Sequence, residues 1–210
     1  MESKPLQNLE TLVTDNIRTL KIPQVKSSHP LVIIMTGIPA SGKTYLAQRL
    51  SEQLPFCVVS ETAMRHFLAR SASFFDRKTE KIHELGIPTI ERLLQMGVNT
   101  IYDSNIATRA LRETVKTRVA AVGGVFVLIY LNCSKEVAYQ KIKKHNIEIM
   151  RGDKEGFIMD IDYFNYEIAK TQAPLIRESP LTYDSSQNSN QLQNLIRKIK
   201  EKMDFQEMSR

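Results

Sequence analysis

The segment from Gly37 to Thr44 has the residue types and the spacing that bind phosphate. It reads GIPASGKT and fits the pattern G-x-x-x-x-G-K-[ST]. Glycines at both ends let the chain curl so that consecutive backbone N–H groups point at one anion. Lys43 can reach the outer phosphates of a nucleotide, and the Thr44 hydroxyl can coordinate the accompanying magnesium. The pattern predicts a nucleotide-binding loop made of Gly37, Ile38, Pro39, Ala40, Ser41, Gly42, Lys43 and Thr44.

The elements on either side of this loop fit the same chemistry. The apolar run LVIIM at 31–35 predicts a buried strand, and the apolar residues at 45–50 have helical spacing. The loop therefore leads into a helix N-terminus, whose dipole favours the same anion. A plain Gly/Ser turn would explain the glycines but not the Lys43–Thr44 pair. We predict that the protein binds ATP with Mg²⁺.

Asp103 is the second candidate for the site. It ends the short strand pattern TIYD, and an acid at the carboxyl end of a strand beside the loop can hold magnesium. The alternative is an Asp that only stabilises the following turn, where this residue type is favoured. The predicted metal ligands are Thr44 and Asp103.

The rest of the chain alternates between strand and helix patterns. Further apolar strands are predicted at 56–59, 100–102, 125–131 and 181–183. Helices are predicted at 77–96, 108–122, 134–145, 157–170 and from 192 onward, and the first of these reads as two helices, the second beginning at Pro88. Unbroken apolar strands that alternate with helices indicate an α/β protein with a parallel sheet covered on both faces.

Two segments lie outside this alternation. Residues 5–20 have an amphipathic helical pattern, so 1–30 is predicted as an N-terminal helix and connector, and 31–210 as the main domain. The apolar stripe of that helix needs a partner, either on the same domain or on another protein or subunit. Residues 146–156 break the preceding helical pattern and contain Arg151 and two glycines, which predicts a small mobile lid.

Composition restricts the class of protein. The 210 residues are enough for one domain with a sizeable core. No apolar run is long enough to span a membrane and the N-terminus lacks a signal-peptide core, so we expect a cytoplasmic protein. Cys57 and Cys133 lie in apolar runs and are predicted to be buried thiols. The formal net charge of +6 suits anionic ligands and leaves nucleic acid open as a partner.

Four segments together resemble a known family. GIPASGKT, VVSETAMR, TIYDSNIATRALRETV and FVLIYLNCSKEVAYQKI are similar to the small P-loop kinases often described as AAA-type ATP-binding proteins, whose relatives include polynucleotide kinase domains and zeta-toxin-like kinases. The resemblance covers about residues 31–185. It implies a three-layer P-loop NTPase fold, with a five-stranded parallel sheet in the order 2-3-1-4-5, helices on both faces and a small lid.

The resemblance also implies roles for particular residues. In this family the second strand ends in S-x-D-x-x-R, with the Asp as general base for the acceptor hydroxyl. Ser60 and Arg65 match, but Thr62 occupies the acid's position and Glu61 lies beside it. Threonine cannot act as that base at neutral pH, so either Glu61 substitutes or the base is missing. As the alternative, Glu61 is only an acid in the first turn of a helix, paired with Arg65.

Basic residues complete the site that the resemblance implies. The family's third strand is followed by two arginines, and Arg109 and Arg112 match them. Arg112 and Lys141 are predicted to contact nucleotide, and Arg151 is predicted to reach the phosphates from the lid. The predicted catalytic residues are Lys43, Glu61, Arg65, Asp103 and Arg151.

The function predicted from these observations is an ATP-dependent kinase that transfers the γ-phosphoryl group to a hydroxyl of a small-molecule or nucleotide-like acceptor. One alternative is a polynucleotide 5′-hydroxyl kinase, which the basic charge balance favours. The other is an ATP-binding switch or interaction protein without efficient transfer. Thr62 at the acid's position and the N-terminal helix favour this last alternative.

Overall fold

Five parallel strands form the centre of the molecule. The computed structural model describes residues 8–70, 79–153, 158–184 and 190–208. The strands are β1 (Leu31–Thr36), β2 (Cys57–Ser60), β3 (Thr100–Asp103), β4 (Val125–Asn132) and β5 (Leu181–Asp184). They lie in the order β2-β3-β1-β4-β5, and every neighbouring pair is parallel. The predicted P-loop NTPase fold and its strand order are confirmed.

The central strand β1 is buried along its whole length. Its side chains alternate between two cores, with Val32 and Ile34 on one face of the sheet and Leu31, Ile33 and Met35 on the other. A strand covered on both faces must be apolar at every position, which is why its sequence reads as an unbroken apolar run.

Helices cover both faces of this sheet. They are α1 (Leu9–Arg18), α2 (Lys43–Ser51), α3 (Glu61–Arg70), α4 (Thr79–Gln95), α5 (Arg109–Ala121), α6 (Lys135–Met150), α7 (Ile161–Lys170) and α8 (Asn190–Met208). Apolar residues of α1, α3, α4 and α5 fill one core, and those of α2 and α8 fill the other. The side chains of Thr108 and Ser134 cap α5 and α6, as helix N-termini favour. None of the helices within the described ranges combines the length and apolar character needed to cross a membrane.

The N-terminal helix α1 packs on α4. Leu12 and Val13 are buried in the same core as the sheet, and Asn16 Nδ2 donates to Thr89 Oγ1 at 3.2 Å. Of the two partners that the sequence left open for this apolar stripe, the structure supplies the protein's own domain.

Several predicted boundaries are wrong, and α7, for example, begins at Ile161 after its cap Asp160 rather than at position 157. Helix α4 continues through Pro88 as one helix. Proline removes one backbone hydrogen bond, but Leu85, Ile87 and Ile90 are buried against the sheet and hold the helix together across the defect. Residues 77 and 78 lie outside the described residues.

Helix α6 is also longer than predicted, because it ends at Met150 rather than at position 145. Asn146 stabilises its last turns: Nδ2 donates to the Met159 carbonyl at 2.8 Å, and Oδ1 accepts from the Met159 N–H at 3.1 Å. The first five residues of the predicted lid at 146–156 are therefore helical, and 154–156 lie outside the described residues. Cys57 is buried as predicted, whereas Cys133 is only partly buried.

Candidate nucleotide and acceptor site

The phosphate-binding loop connects β1 to α2 at the carboxyl edge of the sheet. A Cβ at Gly37 would lie 2.7 Å from the Leu131 carbonyl oxygen, so only glycine allows the loop to approach β4 this closely. Gly42 has φ +101° at the N-terminus of α2, a conformation that other residues rarely adopt. Ala40 also has a positive φ, of +58°. Backbone with such positive φ values can curl so that consecutive amides point at one anion, which is what an anion-binding loop requires.

Lys43 folds back onto this loop. Its Nζ donates to the carbonyls of Gly37 at 2.8 Å and Ile38 at 3.0 Å. Burial lowers the pKa of the Lys43 ammonium to about 8, although the carboxylates of Asp103, Glu61 and Glu167 act in the opposite direction. The Lys43 ammonium is therefore held at the loop by two neutral carbonyl groups. Its hydrogen bonds to these carbonyls are weaker than those it would make to a charged phosphate group.

Thr44 and Asp103 form the candidate metal site. The Thr44 hydroxyl donates to Asp103 Oδ1 at 3.0 Å, across from α2 to the end of β3. Burial raises the pKa of Asp103, while the Thr44 hydrogen bond and the Lys43 charge oppose this rise. A hydroxyl and a carboxylate are hard oxygen donors of the kind that Mg²⁺ prefers, so this pair fits the predicted ion. The Asp103 carboxylate faces Thr44, as the metal-binding interpretation of this acid requires.

Glu61, rather than Thr62, faces the site. Oε1 of Glu61 accepts from Arg65, with Nη2 at 2.6 Å and Nε at 3.1 Å, and Oε2 accepts from the Ser104 hydroxyl at 2.6 Å. Burial acts to raise the pKa of Glu61, but the hydrogen bonds from Ser104 and Arg65 outweigh it, and the net pKa is below the usual value. Thr62 is exposed. The Glu61 carboxylate therefore lies beside the residue that follows Asp103, and its replacement of the family's acid stays a prediction.

Sequence reasoning missed Ser104. Its only signal is its position directly after Asp103, where the side chains of neighbouring parallel strands converge at one edge of the sheet.

The structure gives Arg112 a tethering role in place of its predicted contact with nucleotide. The side chain is buried and binds Glu178 through Nε at 2.6 Å and Nη2 at 3.0 Å. Nη1 donates to the carbonyls of Ala107 at 3.1 Å and Gln172 at 3.0 Å. These bonds join the segment after β3 to the segment after α7. Glu178 lies 66 residues further along the chain, so no local pattern in the sequence shows this pairing.

The remaining predicted basic residues lie on α6 and α5. Arg151 is exposed at the C-terminus of α6, Lys141 is exposed within that helix, and Arg109 is exposed in the first turn of α5. The contacts of Arg151 and Lys141 with phosphate stay predictions.

Helix α7 lies over the loop, which sequence reasoning did not predict. Phe164 is fully buried in a small apolar cluster against which Ile38 and Ala40 of the loop pack, and it stacks on Tyr139 with 5.9 Å between ring centroids. The Glu167 carboxylate of α7 is close enough to raise the pKa of Lys43. Helix α7 thus lies beside the phosphate-binding loop and near the Lys43 ammonium.

A cavity of about 240 Å³ lies at the same edge of the sheet, beyond the ends of β4 and β5. Its lining residues are Asn132, Cys133, Ser134, Val137 and Asp184.

Solved structures of other proteins share this fold. Kti12 from Chaetomium thermophilum, in complex with ADP-AlF3, has a TM-score of 0.67 and 15% identity over 83% of this chain and 99% of that one. A gluconokinase from Sinorhizobium meliloti has a TM-score of 0.58 and 13% identity over 87% and 99%. The APS kinase of Mycobacterium tuberculosis, in complex with AMPPNP and APS, has a TM-score of 0.55 and 15% identity over 82% and 98%.

Sequence comparison gives one curated relative and one family. The relative is a probable 6-phosphofructo-2-kinase of Schizosaccharomyces pombe, 26% identical over 147 residues that span 60% of this chain. The match covers 24% of that relative, so the chain spans about a quarter of its length. The family model described as an AAA domain matches residues 32–151, more than half of the chain and including the loop, Glu61 and Asp103. The chain therefore belongs to the AAA domain family and has the fold of the small P-loop kinases.

Proposed function

We propose that this protein is an ATP-dependent kinase that transfers the γ-phosphoryl group of ATP to a hydroxyl of a small-molecule or nucleotide-like acceptor. The observation that carries the proposal is the convergence of three groups at one edge of the sheet. These are the phosphate-binding loop with Lys43, the Thr44–Asp103 oxygen pair, and the Glu61 carboxylate, whose partner Ser104 directly follows Asp103.

ATP would bind by its phosphates to the loop amides and to the N-terminus of α2. Lys43 would exchange the Gly37 and Ile38 carbonyls for the β- and γ-phosphates, where its charge opposes the negative charge that develops during transfer. Thr44 and Asp103 would hold Mg²⁺, which when bound neutralises phosphate charge as a Lewis acid.

Glu61 would serve as the general base. Its pKa lies below the usual value for glutamate, so it is ionised at neutral pH and can accept the proton of an acceptor hydroxyl. The acceptor oxygen forms a bond to the γ-phosphorus, the bond from that phosphorus to the β–γ bridging oxygen breaks, and ADP leaves. The acceptor proton passes to Glu61, and Arg65 holds the carboxylate in place.

A second candidate function is an ATP-binding switch without efficient transfer. It is favoured by the hydrogen bonds that Arg65 and Ser104 already make to both Glu61 oxygens, because an acceptor must share this carboxylate with them. Transfer to the 5′-hydroxyl of a polynucleotide is a narrower form of the kinase proposal.

A transfer screen with γ-labelled ATP tests these functions. Uncharged sugars, nucleosides, acidic sugars and 5′-hydroxyl oligonucleotides are offered as acceptors, with the Lys43→Ala variant as the inactive control. Labelled product from the wild-type protein alone would establish the kinase and its acceptor class. ATP binding by calorimetry without transfer to any acceptor would favour the switch, and no binding of ATP would reject both.

A further inference from the structure

The phosphate-binding loop encloses a hydroxyl that has no hydrogen-bond partner among the described residues. Ser41 is fully buried, and its Oγ makes no hydrogen bond to any residue that the structure describes. The same holds for two other buried side-chain atoms, Thr36 Oγ1 at the end of β1 and Asn105 Oδ1 two residues after Asp103. Buried polar groups are nearly always paired, so each exception needs an explanation. All three exceptions lie at the carboxyl edge of the sheet, which points to a role in the site.

The Ser41 hydroxyl lies beside the carbonyls that hold Lys43. A Cβ at Gly37 would lie only 2.9 Å from Ser41 Oγ, so this oxygen fills the inside of the loop next to Gly37. The Ser41 N–H donates to the Ile38 carbonyl at 3.2 Å. Lys43 Nζ donates to the same carbonyl at 3.0 Å and to the Gly37 carbonyl at 2.8 Å. The loop thus contains a donor without an acceptor beside two carbonyls that accept from Lys43.

The proposed binding of ATP changes this set of hydrogen bonds. When Lys43 turns to the phosphates, the Ile38 carbonyl keeps the Ser41 N–H, but the Gly37 carbonyl loses its bond from Nζ. Gly37 is buried, and a buried carbonyl without a donor costs free energy. The Ser41 hydroxyl is a donor within the same loop, and rotation about its Cα–Cβ bond can turn it toward this carbonyl.

We infer that the Ser41 hydroxyl replaces the Lys43 ammonium at the Gly37 carbonyl when ATP binds; this inference rests on the ATP binding of the proposed function. The replacement lets Lys43 hold the phosphates without leaving a buried carbonyl unpaired. Ser41 is therefore a positioning residue, because its hydroxyl acts through Lys43 and does not itself contact the phosphates. Its unpaired hydroxyl lowers the stability of the protein without nucleotide, and the bond that it gains contributes to the affinity for ATP.

Ser41→Ala should therefore change stability and affinity in opposite directions. Without nucleotide, the substitution removes an unpaired buried hydroxyl, so the melting temperature should rise by about 2–4 °C. With nucleotide, it leaves the Gly37 carbonyl without a donor, so the affinity for Mg²⁺-ATP should fall about tenfold. The measurements are thermal unfolding followed by circular dichroism, which also shows that each variant is folded, and calorimetric titration with Mg²⁺-ATP.

The Lys43→Met background separates this role from a direct contact with phosphate. In Lys43→Met, the Ser41 hydroxyl can bond the Gly37 carbonyl before any nucleotide is added. Adding Ser41→Ala to this background should thus lower the melting temperature rather than raise it. It should also change the affinity for Mg²⁺-ATP by less than about twofold, because no donor has to be replaced. A hydroxyl that bonds the phosphates directly would instead weaken binding equally in both backgrounds.

Thr36→Val is the matched control. Thr36 carries an equally buried hydroxyl without a partner among the described residues, and valine keeps its branched shape. Along β1 its side chain lies on the face of Val32 and Ile34, outside the loop. Thr36→Val should therefore raise the melting temperature in both Lys43 backgrounds, without the reversal of sign expected for Ser41→Ala.

Two results would overturn the inference. A lower melting temperature of Ser41→Ala in the otherwise wild-type protein would mean that the hydroxyl already has a partner without nucleotide. An equal loss of affinity in both Lys43 backgrounds would mean that it contacts the phosphates directly. Wild-type protein that binds no Mg²⁺-ATP would refute the proposed function and this inference together. Coupling between Ser41 and Lys43 in a protein that transfers phosphate to no acceptor would refute the kinase proposal alone.

Discussion

Replacement of Glu61 by glutamine separates a general base from a helix-stabilising ion pair. The substitution keeps the size of the side chain and removes its charge. If Glu61 takes the acceptor proton, the transfer rate should fall about a hundredfold to ten-thousandfold, as loss of a general base typically does. If it only pairs with Arg65 four residues away, turnover should stay nearly intact, because such a pair contributes only about 0.3–0.5 kcal/mol.

The structure also sets the expected change in stability. Glu61 accepts from both Arg65 and Ser104, and a glutamine amide can accept on one side only. The Ser104 hydroxyl is buried, and its hydrogen bond to a charged group would be replaced by one to a neutral amide. We expect the free energy of unfolding to fall by about 1–2 kcal/mol. A loss of this size is small against the stability of a typical domain, about 5–15 kcal/mol, so a large loss of activity in a folded variant would have a chemical cause.

The assay is the initial rate of transfer from labelled ATP, together with urea unfolding followed by circular dichroism. Glu52→Gln is the matched control, because Glu52 pairs with Arg49 on the exposed surface of α2 at 2.8 Å. Its activity should equal that of the wild type, and its stability should change by less than about 1 kcal/mol. Thr62→Asp is the reciprocal variant, which restores an acid where the family has it. Full activity in Glu61→Gln would exclude Glu61 as the base.

Three further predictions concern the phosphate loop, the metal pair and the Arg112 tether. The pKa of Lys43 is lowered to about 8, so the ammonium loses its charge as the pH rises above 8 and the ATP affinity measured by calorimetry should fall. Lys43→Met should bind ATP weakly and without this pH dependence. Equal pH profiles for the two proteins would contradict the prediction. Asp103→Asn should lower the rate of phosphoryl transfer and raise the Mg²⁺ concentration needed for half of the remaining maximal rate. An unaltered Mg²⁺ dependence would mean that Asp103 only stabilises the turn after β3. Arg112→Met should lower the free energy of unfolding by about 3 kcal/mol at pH 7, because it removes the hydrogen bonds from Arg112 to the Glu178 carboxylate and to the carbonyls of Ala107 and Gln172. Arg112 depresses the pKa of Glu178, so this difference should be present above pH 4.5 and shrink as the pH falls below it; a difference that does not change with pH would argue against the ion pair.

The features that sequence reasoning predicted are those encoded by local pattern. The apolar runs of β1 and β4 and the loop from Gly37 to Thr44 are read directly, since each depends on neighbouring residues. The strand order came from the family resemblance rather than from any single segment. The pairing of Thr44 with Asp103 follows from that order, because it places β3 next to β1.

Features that depend on distant contacts were missed. The continuity of α4 through Pro88 is decided by burial against the sheet, and the length of α6 by the bonds between Asn146 and Met159. Arg112 carries the same charge whether it binds a phosphate or Glu178, and only the fold shows which carboxylate lies beside it. Tyr102 and His83 are 19 residues apart, and only the packing of α4 on β3 brings them together.

The hydrogen bonds of Arg112 determine how helix α7 is held in the fold. They join Ala107, four residues after Asp103, to the end of α7, and the Gln172 N–H adds a bond to the Ala107 carbonyl at 2.9 Å. The covalent chain and these hydrogen bonds together anchor the C-terminal end of α7 to the segment after β3. The segment before α7 is bonded to α6 through Asn146 and Met159, so α7 is joined to other parts of the fold at both of its ends.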